Sequence, residues 1–418
     1  MRRVVLAFAL VAVLALSGCA GTGLLTTAST GGAGSKADAM LAHAPGSDVK
    51  PTGRTQEFDL YLYPMNHTLY PGASMNMWGF SLAPDATKAQ FPGPTLRVTE
   101  GDRVIIHFHP ETAGYNHTLH FHGQDVPNDQ DGVPYVTQKV VESGDSYDYD
   151  FIAKPAGTYW YHCHVDTEHH IDMGMYGAFI VDPQNVNDDP HYDGEFVMLL
   201  DDMDRYHNEG GRPPTDTGQV PQGGDVYSYQ QFLERQANDA VTRNQVVGPA
   251  LTEQNTTFRP NRDWYPVTYL PYTADYQTFL INGQAFPYTS PLVVQENKTY
   301  RIRMINAGNE VFSMHLHGHH LLVTHVDGVL LESPYWVDNV VIAPGQRMDV
   351  YFKADNPGVW DFHDNFGQHT QNDDIFPGGA MTMLCYQGLQ GCPSGHDHMH
   401  MAHAHSGDLI GWDPRVLA

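Results

Sequence analysis

The sequence predicts an all-β fold made of two β-sandwich domains. The first observation is an internal repeat, because two regions of the chain carry the same order of short motifs. The second is that both copies consist of short alternating or β-branched runs, such as 103–109 and 348–352, split by Gly, Pro, Asn and Asp. That pattern is typical of sandwiches and not of alternating strands and helices. The only convincing helical candidate is short, at 229–240.

Four segments define the repeat in each copy. In the first copy they are FPGPTLRV at 91–98, GDRV at 101–104, HFHG at 120–123 and GTYWYH at 157–162. In the second they are PLVV at 291–294, YRIR at 300–303, HLHG at 315–318 and GVWDFH at 358–363. The repeats therefore predict one domain at 55–185 and another at 275–388.

The remaining segments predict export and tethering. Residues 1–19 look like a lipoprotein signal peptide, because Arg2 and Arg3 precede an apolar run that ends in Leu-Ser-Gly-Cys. We expect Cys19 to be the lipidated N-terminus of a protein in the cell envelope or outside the cell; the alternative is plain secretion with Cys19 removed. Residues 20–54 predict a flexible tether, 186–274 an inter-domain connection with some strands, and 389–418 a tail rich in His and Met.

Composition narrows the class of protein. The 418 residues contain 41% hydrophobic side chains, enough for ordinary cores, and carry a formal net charge of −26. This acidity argues against nucleic acid as a partner and favours cationic partners, including metal ions. In an exported protein, Cys385 and Cys392 predict a small disulfide loop. Beyond the signal, no stretch is long and apolar enough to span a membrane, so contact with a membrane is expected only through the lipid.

The most informative segment is the run from Trp160 to His164, in which Cys163 stands between two histidines. Alternate residues of a strand share a face, so Cys163 points to one side and its histidine neighbours to the other. Thiolate, imidazole and thioether are the donors of a blue-copper electron-transfer site. We expect that site to consist of His117, Cys163, His170 and Met175, with His169 as the competitor of His170.

The histidines on the other face predict a second metal site, here called the histidine cage. Six of its seven members form His-x-His pairs on three segments and the seventh lies on a fourth, and an imidazole cluster of this size suits several copper ions. The candidate members are His120, His122, His162, His164, His315, His317 and His363. His107 and His109 have the same spacing but no counterpart in the second repeat, so we interpret them as structural or surface residues. Cys163, bonded to His162 and His164, gives a short path between the two sites.

Together these motifs make the chain resemble the multicopper oxidases, which include laccases, over most of residues 55–388. It is similar to the two-domain branch whose blue copper lies in the first domain, since Phe312 and Asp364 stand where the first repeat has His117 and Cys163. The resemblance implies two cupredoxin-like Greek-key sandwiches, about four coppers per subunit and a homotrimer that shares each cluster between neighbours. It assigns His120 and His315 to the type 2 copper. It assigns to the type 3 pair His122, His162, His164, His317 and His363.

One departure from this pattern is Asn365, which replaces the second histidine after His363. An amide is a poor copper ligand, and His369 lies close enough in sequence to substitute for it. Two acids fit proton delivery: Asp131, which follows the first histidine pair, and Asp166, which follows His164. Reduction of oxygen to water consumes protons, so positioned acids are required.

The resemblance predicts an oxidase that takes single electrons from phenols, aromatic amines or metal ions and reduces O2 to water. A copper nitrite reductase is the alternative enzyme. Such reductases also resemble two-domain cupredoxin proteins with a blue copper in the first domain, and they also form trimers. A copper-binding or electron-transfer lipoprotein is the non-catalytic alternative. The tail is expected to bind copper outside the catalytic centre.

Overall fold

The structure is a computed structural model that describes residues 45–389 except 71, 113, 204–277, 373 and 374. The predicted signal peptide, its lipidation site Cys19, the helix at 229–240 and the His- and Met-rich tail beyond residue 389 lie outside the described residues. Within them the regular secondary structure is almost all β-strand, with one short α-helix, so the all-β prediction is confirmed. None of the described helices is long and apolar enough to cross a membrane.

The first half of the chain forms a sandwich of two four-stranded sheets. Sheet A has the order β2-β1-β4-β8 and sheet B the order β3-β10-β9-β6, with β5 and β7 paired at the side. The strands are β1 (Thr55–Tyr70), β2 (Ala73–Ser81), β3 (Gly93–Thr99), β4 (Arg103–Pro110), β5 (Asn116–His117), β6 (His120–His122), β7 (Val141–Glu142), β8 (Tyr147–Ile152), β9 (Gly157–His162) and β10 (Tyr176–Asp182). Helix α1 (Thr167–Asp172) lies between β9 and β10. Short 3₁₀ turns cover Ala86–Lys88 and Asn128–Gln130.

The second half forms a larger sandwich. Sheet C has the order β12-β11-β14-β19-β16-β17 and sheet D the order β13-β21-β20-β15-β18. The strands are β11 (Gly194–Met203), β12 (Thr278–Ile281), β13 (Leu292–Val294), β14 (Thr299–Asn306), β15 (Phe312–Leu316), β16 (Leu321–Val326), β17 (Val329–Val337), β18 (Asn339–Ile342), β19 (Arg347–Lys353), β20 (Val359–Asp364) and β21 (Met381–Tyr386). Further 3₁₀ turns cover Val186–Asp188 and Gly367–Thr370.

Three structural details differ from what the sequence predicts. Some strands are expected within the inter-domain connection, but strand β11 of this stretch pairs in parallel with β14 and belongs to sheet C of the second sandwich. The end of the stretch read as a flexible tether is anchored, since Thr52 and Arg54 both bind Asp102. Helix α1 was not foreseen, because a six-residue helix is too short to give a hydrophobic period.

Three large hydrophobic cores organise these layers, and a smaller buried cluster consists of Phe286, Met381 and Met383. One large core fills each sandwich, as alternate residues of facing sheets point inward. The third joins the sandwiches: Trp160 and Ile180 on the outer face of sheet B pack with Leu199 and Ile305 on the outer face of sheet C. Sheet D, on the other side of the second sandwich, has no strand residue in this joining core, at least among the described residues.

Cys385 is disulfide-bonded, as expected for this residue, although its predicted partner Cys392 lies outside the described residues. Cys163 is the free cysteine of the described chain, and it is buried. The thiol of Cys163 is therefore available to bind a metal.

Candidate metal centre

A cysteine, two histidines and a methionine come together in the core of the first sandwich, and we call them the cysteine site. Cys163 follows β9, His170 lies in α1, Met175 precedes β10 and His117 ends β5. The Cys163 Sγ lies 3.1 Å from His170 Nδ1 and 3.8 Å from His117 Nδ1. All four residues are 0% exposed, and Met175 shares a buried cluster with Cys163. His170 rather than His169 faces the thiol.

Neighbouring groups hold these donors in place. The Val165 N–H donates to Cys163 Sγ over 3.4 Å, and Thr112 Oγ1 lies 2.5 Å from His117 Nε2. The second contact leaves His117 Nδ1 directed at the thiol. Burial lowers the pKa of His117 well below its ordinary value, so the ring is neutral, the form that binds metals. The sequence alone does not indicate Thr112, because a single threonine five residues before a histidine matches no metal-site motif.

Four histidines lie at one edge of sheet B and form the first histidine cluster: His120, His122, His162 and His164. Phe121 points into the core, so His120 and His122 point to the opposite face of β6. The ligand atoms of His120, His122 and His162 all lie within 4.8 Å of one another. The ring centroid of His164 is 5.4 Å from that of His120. This set fits a metal-binding cluster.

Backbone carbonyls orient the imidazoles of this cluster. His162 Nδ1 donates to Cys163 O over 2.9 Å, and His120 Nδ1 donates to Asp131 O over 2.8 Å. In both rings the proton is then on Nδ1, and Nε2 is left to bind a metal. Burial lowers the pKa of His162 well below its ordinary value. The peptide of Cys163 therefore contacts the first histidine cluster while its thiol belongs to the cysteine site.

The second sandwich packs directly against this cluster. Burial, and after it the charge of Arg347, lowers the pKa of His122 to about 3. Arg347 donates through Nε to Thr158 O over 3.2 Å and lies 5.5 Å from the ring centre of Tyr159. A Cβ at Gly345, where φ is +76°, would come within 3.1 Å of His122 Cε1. Sequence motifs did not indicate Arg347 or Gly345, because only the packing of the two sandwiches brings them to the site.

A second histidine cluster, formed by His315, His317 and His363, lies on the outer face of sheet D. His315 and His363 are opposite each other on β15 and β20, and His317 Nε2 is 3.0 Å from His363 Nε2. His363 Nδ1 donates to Asp364 O over 2.7 Å, and His315 Nδ1 donates to Asp338 O over 2.6 Å. These contacts repeat the carbonyl arrangement of the first cluster.

Behind this cluster, the position that corresponds to the cysteine site contains different chemistry. Asp364, in place of the cysteine, has its Oδ2 3.0 Å from His369 Nδ1. His369 is buried and stacks on Phe279 with ring centroids 3.8 Å apart. His369 therefore lies on the core side of β20, and it does not join the three histidines of the outer face.

Asn365 occupies the position in the second repeat that His164 occupies in the first, two residues after the strand-paired histidine. Its Nδ2 donates to Asn339 Oδ1 over 2.9 Å, and Asn339 Nδ2 donates to Ser313 Oγ over 2.8 Å. The amide thus takes part in a hydrogen-bond chain along the outer face of sheet D.

The two acids of the sequence analysis have different settings. The Asp131 carboxylate lies 3.3 Å from His120 Nδ1, and this hydrogen bond to His120 holds the pKa of Asp131 below its ordinary value. Asp166 precedes α1 with a left-handed φ of +42°, and its carbonyl accepts the N–H of His170. Asp131 therefore supports the first histidine cluster, whereas Asp166 supports the loop of the cysteine site.

Other histidines have structural partners. His107 Nδ1 is 2.7 Å from Asp148, consistent with its interpretation as a structural or surface residue. His319 Nε2 lies 2.7 Å from the Tyr386 hydroxyl, and its Nδ1 donates to His317 O over 3.0 Å. His319 therefore buttresses a residue of the second cluster from behind.

The two histidine clusters face different directions. Met314 and Leu316 point into the core of the second sandwich, so His315 between them points outward from sheet D. The joining core instead covers the outer face of sheet C. Among the described residues, no metal-ligand group combines histidines from both sandwiches. One chain therefore presents two separate halves of the predicted cage.

Comparisons with known proteins agree with this geometry. Residues 86–186 and 253–389 match two family models described as multicopper oxidase. The solved blue copper oxidase from Nitrosomonas europaea is 30% identical with a TM-score of 0.61, and the match covers 80% of this chain and 86% of that one. The chain belongs to the multicopper oxidase family and has its all-β cupredoxin-domain fold, and the family implies copper as the metal.

Two curated relatives are longer than this chain. L-ascorbate oxidase from Brassica rapa subsp. pekinensis is 28% identical over 72% of this chain and 48% of its own length. The multicopper oxidase MmcO from Mycobacterium tuberculosis is 30% identical over 63% of this chain and 46% of its own length. The chain spans about half the length of these curated relatives.

Proposed function

We propose that the protein is an oxidase that takes single electrons from a donor at the cysteine site and reduces O2 to water at the histidine cage. The observation that carries this proposal is the position of Cys163, whose thiol faces His170 while its carbonyl accepts the His162 proton. Electrons have only one residue to cross between the two sites. Copper, when bound, supplies the reversible one-electron chemistry.

The donor sets support about four coppers per subunit. The cysteine site offers the thiolate, two imidazoles and thioether of a type 1 copper. Burial keeps its His117 neutral and ready to bind. We assign the type 2 copper to His120 and His315. The type 3 pair takes His122, His162, His164, His317 and His363.

A homotrimer would complete the cage. The second histidine cluster is on the opposite side of its sandwich from the joining core, so its own first cluster cannot close on it without a rearrangement of the domains. The same outer face exposes Val341, which is 57% accessible and pairs with Ser313 beside His315. A head-to-tail contact between the first cluster of one subunit and the second cluster of the next forms a closed trimer when neighbouring subunits are related by a three-fold rotation.

Two residues are proposed to handle protons. Asp131 is ionised next to His120, so it can accept a proton near the type 2 position and orient that imidazole. Asp166 follows His164 and is partly exposed, which suits exchange of protons with solvent.

The proposal also includes export of the protein with a lipid anchor at Cys19. Phenols, aromatic amines and metal ions are the candidate donors.

The first test is oxygen uptake by copper-loaded protein with a generic one-electron donor, together with copper counting per subunit. Uptake with about four coppers supports the oxidase. The matched variant Cys163→Ser should lose the blue colour and donor-dependent uptake while it keeps the histidine clusters. A blue protein without uptake would contradict the proposal, and consumption of nitrite would then identify a reductase.

Subunit mixing tests the shared cage. His162→Ala disables the first cluster and His317→Ala disables the second, so each homo-oligomer should be inactive. Unfolded and refolded together in equal amounts, they should recover about a quarter of wild-type activity, because that share of head-to-tail contacts joins two intact clusters. Failure of the mixture to regain uptake would contradict a cage built between subunits.

A further inference from the structure

The cysteine site is sealed from solvent. Cys163, Met175, His117 and His170 are each 0% exposed, so no donor in solution can touch a residue of the site. Thr112, itself 1% exposed, covers the Nε2 edge of His117. An electron must therefore cross at least one protein group before it reaches the imidazoles.

Trp78 is the group that covers both imidazoles. Trp78 lies on β2, and its backbone N–H donates to Met173 O over 2.6 Å, which ties β2 to the loop between α1 and β10. Its ring meets His117 edge to face at 5.2 Å and His170 edge to face at 5.0 Å. Such contacts are van der Waals contacts between π systems. Trp78 therefore touches both imidazoles of the cysteine site while it is only 5% exposed.

Two partly exposed rings extend from Trp78 to the surface. Tyr115 packs against it at 4.5 Å and His169 at 6.0 Å, both edge to face. Tyr115 and His169 are each of intermediate exposure. From solvent inward the order is Tyr115, then Trp78, then the two imidazoles. His169 in addition meets the His170 ring directly, edge to face at 5.8 Å.

We propose that Trp78 is the electron-entry residue of the protein: donors dock at the Tyr115 surface, and their electrons cross the Trp78 ring to the copper, in preference to the direct contact of His169 with His170. The proposal rests on the proposed type 1 copper. In each transfer the donor is oxidised by one electron and copper(II) is reduced to copper(I), and no bond or proton is exchanged. Aromatic rings in contact provide better electronic coupling than an aliphatic side chain of the same position.

This arrangement favours donors that react without entering a pocket, such as metal ions and their complexes. The buried shell excludes water and ring-shaped substrates from the imidazoles. The net charge of −26 attracts cationic complexes to the surface. The substrate class expected at this entry is therefore a cationic, outer-sphere one-electron donor.

The experiment follows bleaching of the blue absorption in copper-loaded protein, without oxygen, after mixing with a bulky tris-chelate cobalt(II) complex. The complex is too wide to enter the space left by a removed indole. Trp78→Leu should slow bleaching about tenfold or more, equivalent to ~1.4 kcal/mol of barrier. Trp78→Phe keeps a ring and should retain most of the rate, and Tyr115→Leu should slow it by a smaller factor.

Matched controls are Trp336→Leu and Tyr335→Leu, both on exposed strand β17 of the other sandwich, which should bleach at the wild-type rate. Two further measurements separate electron conduction from structural support: the energy of the blue absorption and the reduction potential. If Trp78 only conducts electrons, its replacement changes the bleaching rate and leaves the absorption energy and the potential unchanged. A wild-type rate in Trp78→Leu would overturn the proposal. If Trp78→Leu loses the blue site, a wild-type rate in Tyr115→Leu would overturn it instead. Because oxygen is absent, the result does not depend on the oxidase activity.

Discussion

Replacement of Asp349 by asparagine should destabilise the protein strongly, because this carboxylate balances two buried arginines between the sandwiches. Asp349 is 1% exposed, and it lies 3.6 Å from Arg303 and in a close ion pair with Arg301. It also accepts the hydroxyl proton of Thr158 in the first sandwich over 2.7 Å. Burial alone would raise the pKa of Asp349, but Arg301 and Arg303 hold it below its ordinary value.

The expected loss of unfolding free energy depends on which ion pairs the two arginines retain. Removal of one partner from a buried ion pair costs about 3–5 kcal/mol, because an uncompensated charge remains. Arg301 retains Asp189 at 2.7 Å and Arg303 retains Glu195 at 2.6 Å. Asparagine also keeps an oxygen that can accept from Thr158. We therefore expect the lower end of the range, about 3 kcal/mol.

Denaturant unfolding of the metal-free protein measures this loss. The matched control is Asp150→Asn, which breaks an ion pair to Arg103 whose two side chains are 42% and 52% exposed. Exposed pairs contribute about 1 kcal/mol or less, so the control should shift the midpoint little. The reasoning would be refuted if Asp349→Asn and Asp150→Asn unfolded at the same midpoint.

Three further predictions concern the metal sites. The pKa of His122 is about 3 in the folded protein and roughly 6.5 in the unfolded chain. Between these values the unfolded state binds more protons, so metal-free protein should lose stability as pH falls from 6.5, with a shallower slope in His122→Gln. Asn365→His should slow copper loss to a chelator by roughly tenfold or more, because it adds an imidazole at the second histidine cluster. The control is Gln368→His, since Gln368 is exposed in the same loop, and it should lose copper at the wild-type rate. Equal rates of copper loss in the two variants would mean that position 365 does not face the cage. Met175→Leu should raise the reduction potential of the blue copper, measured by redox titration, and change the unfolding free energy by less than about 1.5 kcal/mol; an unchanged potential would exclude Met175 as a ligand.

The predicted pattern of strands was correct at the histidine pairs, because alternate residues of a strand point to opposite faces. Phe121 between His120 and His122, and Leu316 between His315 and His317, showed in advance that histidines and core residues occupy opposite faces. The same reasoning put the Cys163 thiol and its flanking histidines on different sides. Those relations depend only on neighbours in sequence, so local geometry decides them.

Boundaries were harder to predict. Strand β11 lies in a region with no counterpart in the repeat, and only its pairing with β14 assigns it to the second sandwich. The role of His369 could not be decided from the sequence either, because it lies only four residues after Asn365 and could have replaced the missing copper ligand of the cage. Its stacking on Phe279 and its bond to Asp364 place it in the core.

The sequence by itself determined the donor types, their order and the all-β architecture, because motifs and alternation are local properties of the chain. Only the tertiary structure decided what surrounds those donors. Trp78 covers the imidazoles of the cysteine site, and Arg347 reaches His122, from positions that share no motif with them. The tertiary structure also directs the two histidine clusters to different faces, because the joining core lies on the outer face of sheet C and includes no described strand residue of sheet D.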